Sequence, residues 1–202
     1  MVMRGDVSLC GPLQLSACAG QVWHVIGPNG TGKTTLLMML AGILPIMQGQ
    51  ARWQDRPPSE WSVLYLGHLA GLNASLTVMD NLRFLAALGH SAVPSDQVLW
   101  HALAMTGLAG YEDVLVSRLS SGQKRRVNLA RLWLPDAPRL WLLDEPMTAL
   151  DQQMIERLNQ QLREHAANGG MVLLTSHQPV DAMTNLLDLA DYRCCDGLEA
   201  IQ

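Results

Sequence analysis

The stretch GPNGTGKT, Gly27 to Thr34, sits between an apolar run, Gln21 to Gly27 (QVWHVIG), and a helical pattern from Lys33 to Leu44. The run reads as a strand ending in glycine, and Pro45 stops the helix. The pattern G-x-x-x-x-G-K-[ST] between a strand and a helix is the context in which a glycine-rich loop cradles phosphate. Gly27, Gly30 and Gly32 let the backbone approach closely, with Pro28, Asn29 and Thr31 completing the loop. Lys33 brings positive charge to the β- and γ-phosphates, and the Thr34 hydroxyl is placed to ligate Mg²⁺. Thr35 adds an amide at the helix start. A glycine-rich turn with a solvated lysine is the bland alternative, and the flanking elements weigh against it.

Outward from this loop, short apolar runs alternate with helical patterns, which is α/β organisation. QARW at Gln50 and VLYL at Val63 read as strands. Thr77 and Asp80 form a T-x-x-D helix start, followed by Val78, Leu82 and Leu85 at i, i+4, i+7. A second helix is predicted from Ser95 to Thr106, ended by Gly107, and a third from Ser121 to Leu134, stopped by Pro135. RLWLLD (Arg139 to Asp144) and MVLLTS (Met171 to Ser176) read as strands. The helix between them shows Ile155, Leu158 and Leu162 on one face and ends at Gly169-Gly170. The expected organisation is one domain over 1–202, with an α/β core at about 1–70 and 135–202 and a helical subdomain at about 71–134.

Composition narrows the function classes. The chain has 202 residues, 49% hydrophobic and 16% charged, enough to bury a core. Its net charge of −4 excludes a strongly basic nucleic-acid binder as the default. Cys10, Cys18, Cys194 and Cys195 show neither C-x-x-C nor C-x-x-C-H spacing, so they read as buried reduced thiols, and covalent haem attachment is not expected. The longest uncharged apolar run, Leu36 to Met47, falls short of the ~20 residues a membrane span needs. LSAC at Leu15 to Cys18 resembles a lipoprotein cleavage box. Asp6 cancels Arg4, and Gly11-Pro12 interrupts the apolar stretch, so the match reads as fortuitous.

Further chemistry lies downstream. RLWLLDEP (Arg139 to Pro146) is an apolar strand ending in two carboxylates. Asp144 at its tip can reach a magnesium shell through water, and Glu145 can polarise a water for attack on a γ-phosphate. LSSGQKRR (Leu119 to Arg126) places Ser120, Ser121, Gly122 and Gln123 at a helix start, where free N–H groups face an anion. Lys124, Arg125, Arg126 and Arg131 read mostly as a solvated basic face.

Together these three segments resemble the ATP-binding-cassette (ABC) ATPases, and the resemblance covers nearly the whole chain. It implies a P-loop NTPase fold with a RecA-like core, a small antiparallel β subdomain and an inserted helical subdomain. It also implies ATP and Mg²⁺ as ligands. In that family the signature segment of one subunit covers the nucleotide of the other, which implies a head-to-tail homodimer. MTALD (Met147 to Asp151) is similar to the family's D-loop, with Asp151 reaching across the dimer. LLTSHQ (Leu173 to Gln178) places His177 like the family's switch histidine. Two departures stand out. His68, in YLGHLAGL, occupies the place of the usual loop glutamine, and no aromatic stands near Arg4-Gly5 where adenine would stack. Arg4 could stack instead through its planar guanidinium.

The His68 loop, LTVMDNLRF (Leu76 to Phe84), LSSGQKRRVNLARLWL and TSHQP resemble the ATP-binding subunits of cytochrome c maturation systems. That likeness implies an ATP-hydrolysing subunit for haem export or release of a haem-loaded chaperone. Its partners would be integral membrane permease subunits, met at the helical subdomain and His68 loop. It would lie peripherally on the cytoplasmic face of the bacterial inner membrane. Another exporter, for drugs or lipoproteins, and a soluble ABC ATPase for iron–sulfur assembly stay open. A small-molecule kinase would share GPNGTGKT but would not need LSSGQ.

Overall fold

The computed structural model describes residues 2–4, 7–53, 55–68, 71–89 and 94–192. Strands β1 (Val2–Arg4) and β2 (Val7–Cys10) form a two-stranded antiparallel sheet. The main sheet holds β3 (Val22–Ile26), β4 (Val63–Leu66), β5 (Leu140–Asp144), β6 (Met171–Thr175) and β7 (Asn185–Asp188). Their spatial order is β4-β5-β6-β3-β7, and every pairing is parallel.

Both faces of this sheet are covered, as parallel sheets require, and β5 and β6 are buried along their whole length. Period-2 alternation sorts their side chains. Leu140, Leu142, Met171 and Leu173 pack with Leu37 of helix α1 (Lys33–Leu40). Trp141, Leu143, Val172 and Leu174 pack with Leu158 and Leu162 of α5 (Gln152–Ala167).

Helices α2 (Val78–Gly89), α3 (Asp96–Met105) and α4 (Ser121–Leu129) share a second core built on Val78, Leu82, Leu99, Leu103 and Val127. Trp133 packs against both cores. The T-x-x-D start of α2 is realised: the Asp80 N–H donates to the Thr77 hydroxyl at 3.0 Å. Val78, Leu82 and Leu85 are all buried.

Several expectations need correction. Helix α1 ends at Leu40 rather than Leu44, because Gly42 takes φ +70°. The Ile43 N–H bonds back to Met38 and the Gly42 N–H to Met39, which closes the helix as a Schellman motif. The helix predicted over Ser121 to Leu134 tightens to a 3₁₀ turn at Ala130–Trp133. The QARW strand is absent. Trp53 makes only an isolated bridge to Arg56. Strand β7 was not expected, since its apolar run is only two residues long. Cys18 is exposed rather than buried. The side chains of Arg4 and Cys10, and residues Gly5, Cys194 and Cys195, lie outside the described set. Among the described residues, no helix is long and apolar enough to cross a membrane.

Candidate functional site

Because the sheet is parallel, its strands deliver their carboxyl ends to one edge, where ligands of such sheets bind. The edge receives Gly27 after β3, His68 after β4, Asp144 and Glu145 from β5, and Ser176 and His177 after β6.

The loop after β3 is shaped by its glycines. A Cβ on Gly27, at φ +141°, would lie 2.9 Å from the Thr31 hydroxyl oxygen. Gly32, at φ +93°, is the N-cap of α1 and no side chain caps that helix. Its first-turn amides are therefore available to an anion. Thr31 donates through its hydroxyl to the Pro28 carbonyl at 2.9 Å, and the Lys33 ammonium donates to Gly27 and Pro28 carbonyls at 2.7 and 3.2 Å. Thr31 is thus buried scaffold, whereas Lys33 hangs over the loop it would share with phosphate.

Asp144 is 2% exposed and its two oxygens are used separately. One accepts from the Thr34 hydroxyl at 2.9 Å, the other from the Thr175 hydroxyl at 2.8 Å. The Glu145 N–H donates to the same Thr175 oxygen at 2.9 Å. Thr175 thereby ties both carboxylate residues to β6. The Glu145 carboxylate accepts from the His177 N–H at 3.3 Å, with His177 Nε2 at 3.5 Å from its other oxygen. His177 itself is 65% exposed and Glu145 15%. Tyr65 on β4 has its phenol pushed above the ordinary value by burial and then by the nearby Asp144 charge.

A cleft of about 610 Å³ is lined by Asn29, Gly30, Gly32, Lys33, Thr34, Thr35, His68, Asp144, Glu145, Thr148 and His177, while Gly27, Pro28 and Thr31 are not among the lining residues. Thr148, two residues beyond the DEP segment, went unnoticed in the sequence. Its position inside MTALD was the available signal.

The signature residues Ser120, Ser121, Gly122 and Gln123 are not among those lining the cleft. Ser120 and Gln123 form a reciprocal capping box on α4. Asp151 caps α5 through the Met154 N–H at 2.9 Å and pairs with Arg126 of its own chain. The capping bond and Arg126 hold its carboxyl below the ordinary value. The expected solvated basic face is also corrected. Arg125 is buried and Arg131 is half-buried, so that burial lowers the pKa of both guanidinium groups. The helical phase offered a sign of this, since Arg125 stands at i, i+4 and i+7 with the buried Leu129 and Leu132.

The profile of the ABC transporter family matches residues 10–148. A cytochrome c biogenesis ATP-binding export protein CcmA from Mannheimia succiniciproducens is 41% identical over 96% of this chain and 93% of its own. The chain belongs to the ABC transporter family, with the CcmA proteins. Solved ABC structures show the same fold. An ABC transporter ATP-binding protein from Pyrococcus furiosus aligns at a TM-score of 0.82 and 22% identity, covering 93% of this chain and 94% of that one. A dimeric ATP-binding cassette bound to ADP and Pi aligns at 0.75 and 21% identity, covering 84% and 80%. This ABC chain is thus an α/β cassette whose glycine loop and acidic strand tip face one cleft.

Proposed function

We propose that the chain is the ATP-hydrolysing subunit of an exporter serving cytochrome c maturation, with haem or a haem-loaded chaperone as the cargo its work releases. The observation that carries the hydrolytic reading is the hydrogen-bonded chain Thr34–Asp144–Thr175–Glu145 beside the glycine loop. The cytochrome c reading rests on the likeness to CcmA proteins over nearly the full length of both chains.

The residues fit a nucleotide with a divalent cation. The Thr34 hydroxyl and the Asp144 carboxylate are hard oxygen donors side by side, suited to Mg²⁺ directly or through water. The cation would neutralise charge on the phosphates. The first-turn amides of α1 and Lys33 would hold and orient the β- and γ-phosphates. Glu145, aimed by Thr175 and steadied by His177, would accept a proton from the attacking water, while His177 would donate toward the γ-phosphate. The signature segment, which does not line its own cleft, would close the cleft of a second copy, giving a head-to-tail dimer with Asp151 at the seam. His68, on the cleft wall, would link the site to the helical lobe at about 71–134. That lobe would meet integral membrane permease subunits at the cytoplasmic face of the inner membrane.

The test has two arms. Lys33→Ala should lose Mg-ATP binding. Glu145→Gln should still bind but turn over roughly 100-fold or more slowly, the usual contribution of a positioned base. Both variants should fail to restore c-type cytochromes in a deletion strain that keeps its b-type cytochromes. Wild-type turnover by Glu145→Gln would remove the role assigned to that acid, and normal c-type cytochromes in the deletion strain would remove the cytochrome reading.

A further inference from the structure

Arg125 lies on α4, five residues past the cap Ser120, and is 8% exposed. A guanidinium has five N–H donors in a fixed plane and keeps its charge. Nη1 donates to the carbonyls of Gly67 and His68, at 2.9 and 3.1 Å. Nη2 donates to the carbonyl of Asp144, at 2.6 Å, and to that of Glu145. The acceptors sit in two segments far apart in sequence, one after β4 and one at the tip of β5. A single planar group therefore joins three pieces: the signature helix, the His68 loop and the acidic strand end.

Burying such a charge is costly, and it is tolerated here because four backbone carbonyls accept from it. Its value must lie in what it holds. Glu145 stands at φ +52°, in the left-handed region that a non-glycine residue avoids. Such a conformation persists only where the surroundings over-determine it. Here the Glu145 N–H is held by Thr175 and its carbonyl by Arg125. The two ends of the residue are clamped, and the direction of its carboxylate follows.

We propose that Arg125 is a positioning residue for hydrolysis. It fixes the backbone that aims Glu145 and keeps the signature helix and the His68 loop in register with it. The inference rests on Glu145 being the base. A shift of α4 when a second copy docks on the signature is carried by this side chain to the acid and to the loop together. Lysine cannot replace it fully, because a point ammonium lacks the fork that spans both carbonyl pairs.

The experiment measures kcat, KM and Mg-ATP affinity for full-length Arg125→Met, Arg125→Lys and the double variant Arg125→Met/Glu145→Gln. Arg125→Met should fold with a Tm below wild type, because four carbonyls lose their donor, bind Mg-ATP within about 3-fold of wild type, and lose roughly 100-fold in kcat, the scale of a misplaced catalytic group. Arg125→Lys should recover part of that loss. Should Arg125→Met fail to fold, Arg125→Lys, which keeps the charge, carries the same comparison. The double variant should be no slower than Glu145→Gln alone, since both changes disable one group. Wild-type kcat in the folded variants, or a loss of affinity matching the loss of kcat, overturns the proposal. So do additive losses in the double variant. Wild-type turnover by Glu145→Gln would instead overturn the base assignment, which separates the two failures.

Discussion

His165 on α5 stacks on the indole of Trp141, with ring centroids 3.6 Å apart and planes 11° from parallel. Its Nε2 lies 3.0 Å from the Arg139 carbonyl. Burial holds its pKa below the ordinary 6.5, and the bond to Arg139 opposes that shift without cancelling it. The unfolded chain therefore takes up a proton before the folded one as pH falls. The resulting stability is complete above the ordinary value and drains away as pH drops through it toward the depressed folded value. Calorimetry should show wild-type Tm falling between about pH 7.5 and about pH 5.5 more steeply than that of His165→Phe, which keeps the stack and removes the titration. Parallel curves would assign the acid limb to other groups. His165 and Arg125 share a feature: each is a polar side chain on a helix whose partners are carbonyls of distant segments.

Helix α4 shows how local and long-range demands meet in one element. Its start is written locally, in the S-x-x-Q capping box of Ser120 and Gln123, whose bonds measure 3.2 and 2.9 Å. Ser120→Ala should cost about 1 kcal/mol in denaturant unfolding. It should leave the Mg-ATP affinity of the single chain unchanged, since Ser120 does not line that chain's cleft. A fall in monomer affinity would put the signature segment in its own site. The end of α4 is not written locally. Ser121 to Leu134 keeps helical periodicity, yet the last turn tightens to 3₁₀ where Trp133 packs against both cores. The strand expected at Gln50 fails for the converse reason. Alternation made it legible as a strand, but among the described residues its one ladder pairing is the local bridge of Trp53 to Arg56. Strand β7 escapes a periodicity reading because its ladder comes wholly from β3, with Trp23 through Ile26 opposite Asn185 through Asp188.

Taken whole, the molecule leaves its signature segment out of the cleft that the glycine loop lines. If the signature closes the cleft of a second copy, as proposed above, ATP should drive dimerisation. In the Glu145→Gln background, light scattering after size exclusion should report a dimer with ATP and mostly monomer without it. Gly122→Asp should abolish the shift by setting a carboxylate against the γ-phosphate. A Cβ at Gly122 would already lie 3.0 Å from the Ala149 carbonyl oxygen, so Gly122→Ala is the control for bulk alone. A Gly122→Asp protein that still dimerises with ATP would refute the head-to-tail arrangement.

Gly27 to Thr34 could be read without any structure, because eight consecutive residues set the loop's shape through their own backbone freedom, and the same holds for the caps at Thr77 and Ser120. The apolar runs of β5 and β6 announced a buried parallel sheet for an equally local reason, since burial on both faces leaves no room for alternation. What no single segment carries is proximity. Thr34, Asp144 and Thr175 meet only because β3, β5 and β6 run parallel and end at one edge. Arg125 looked like one more solvated cation until two loops, each far from it in sequence, closed over its guanidinium. The spacing of side chains along a chain specifies local geometry. Burial and the partner of a charge depend on which distant backbone arrives, and only the tertiary structure decided that.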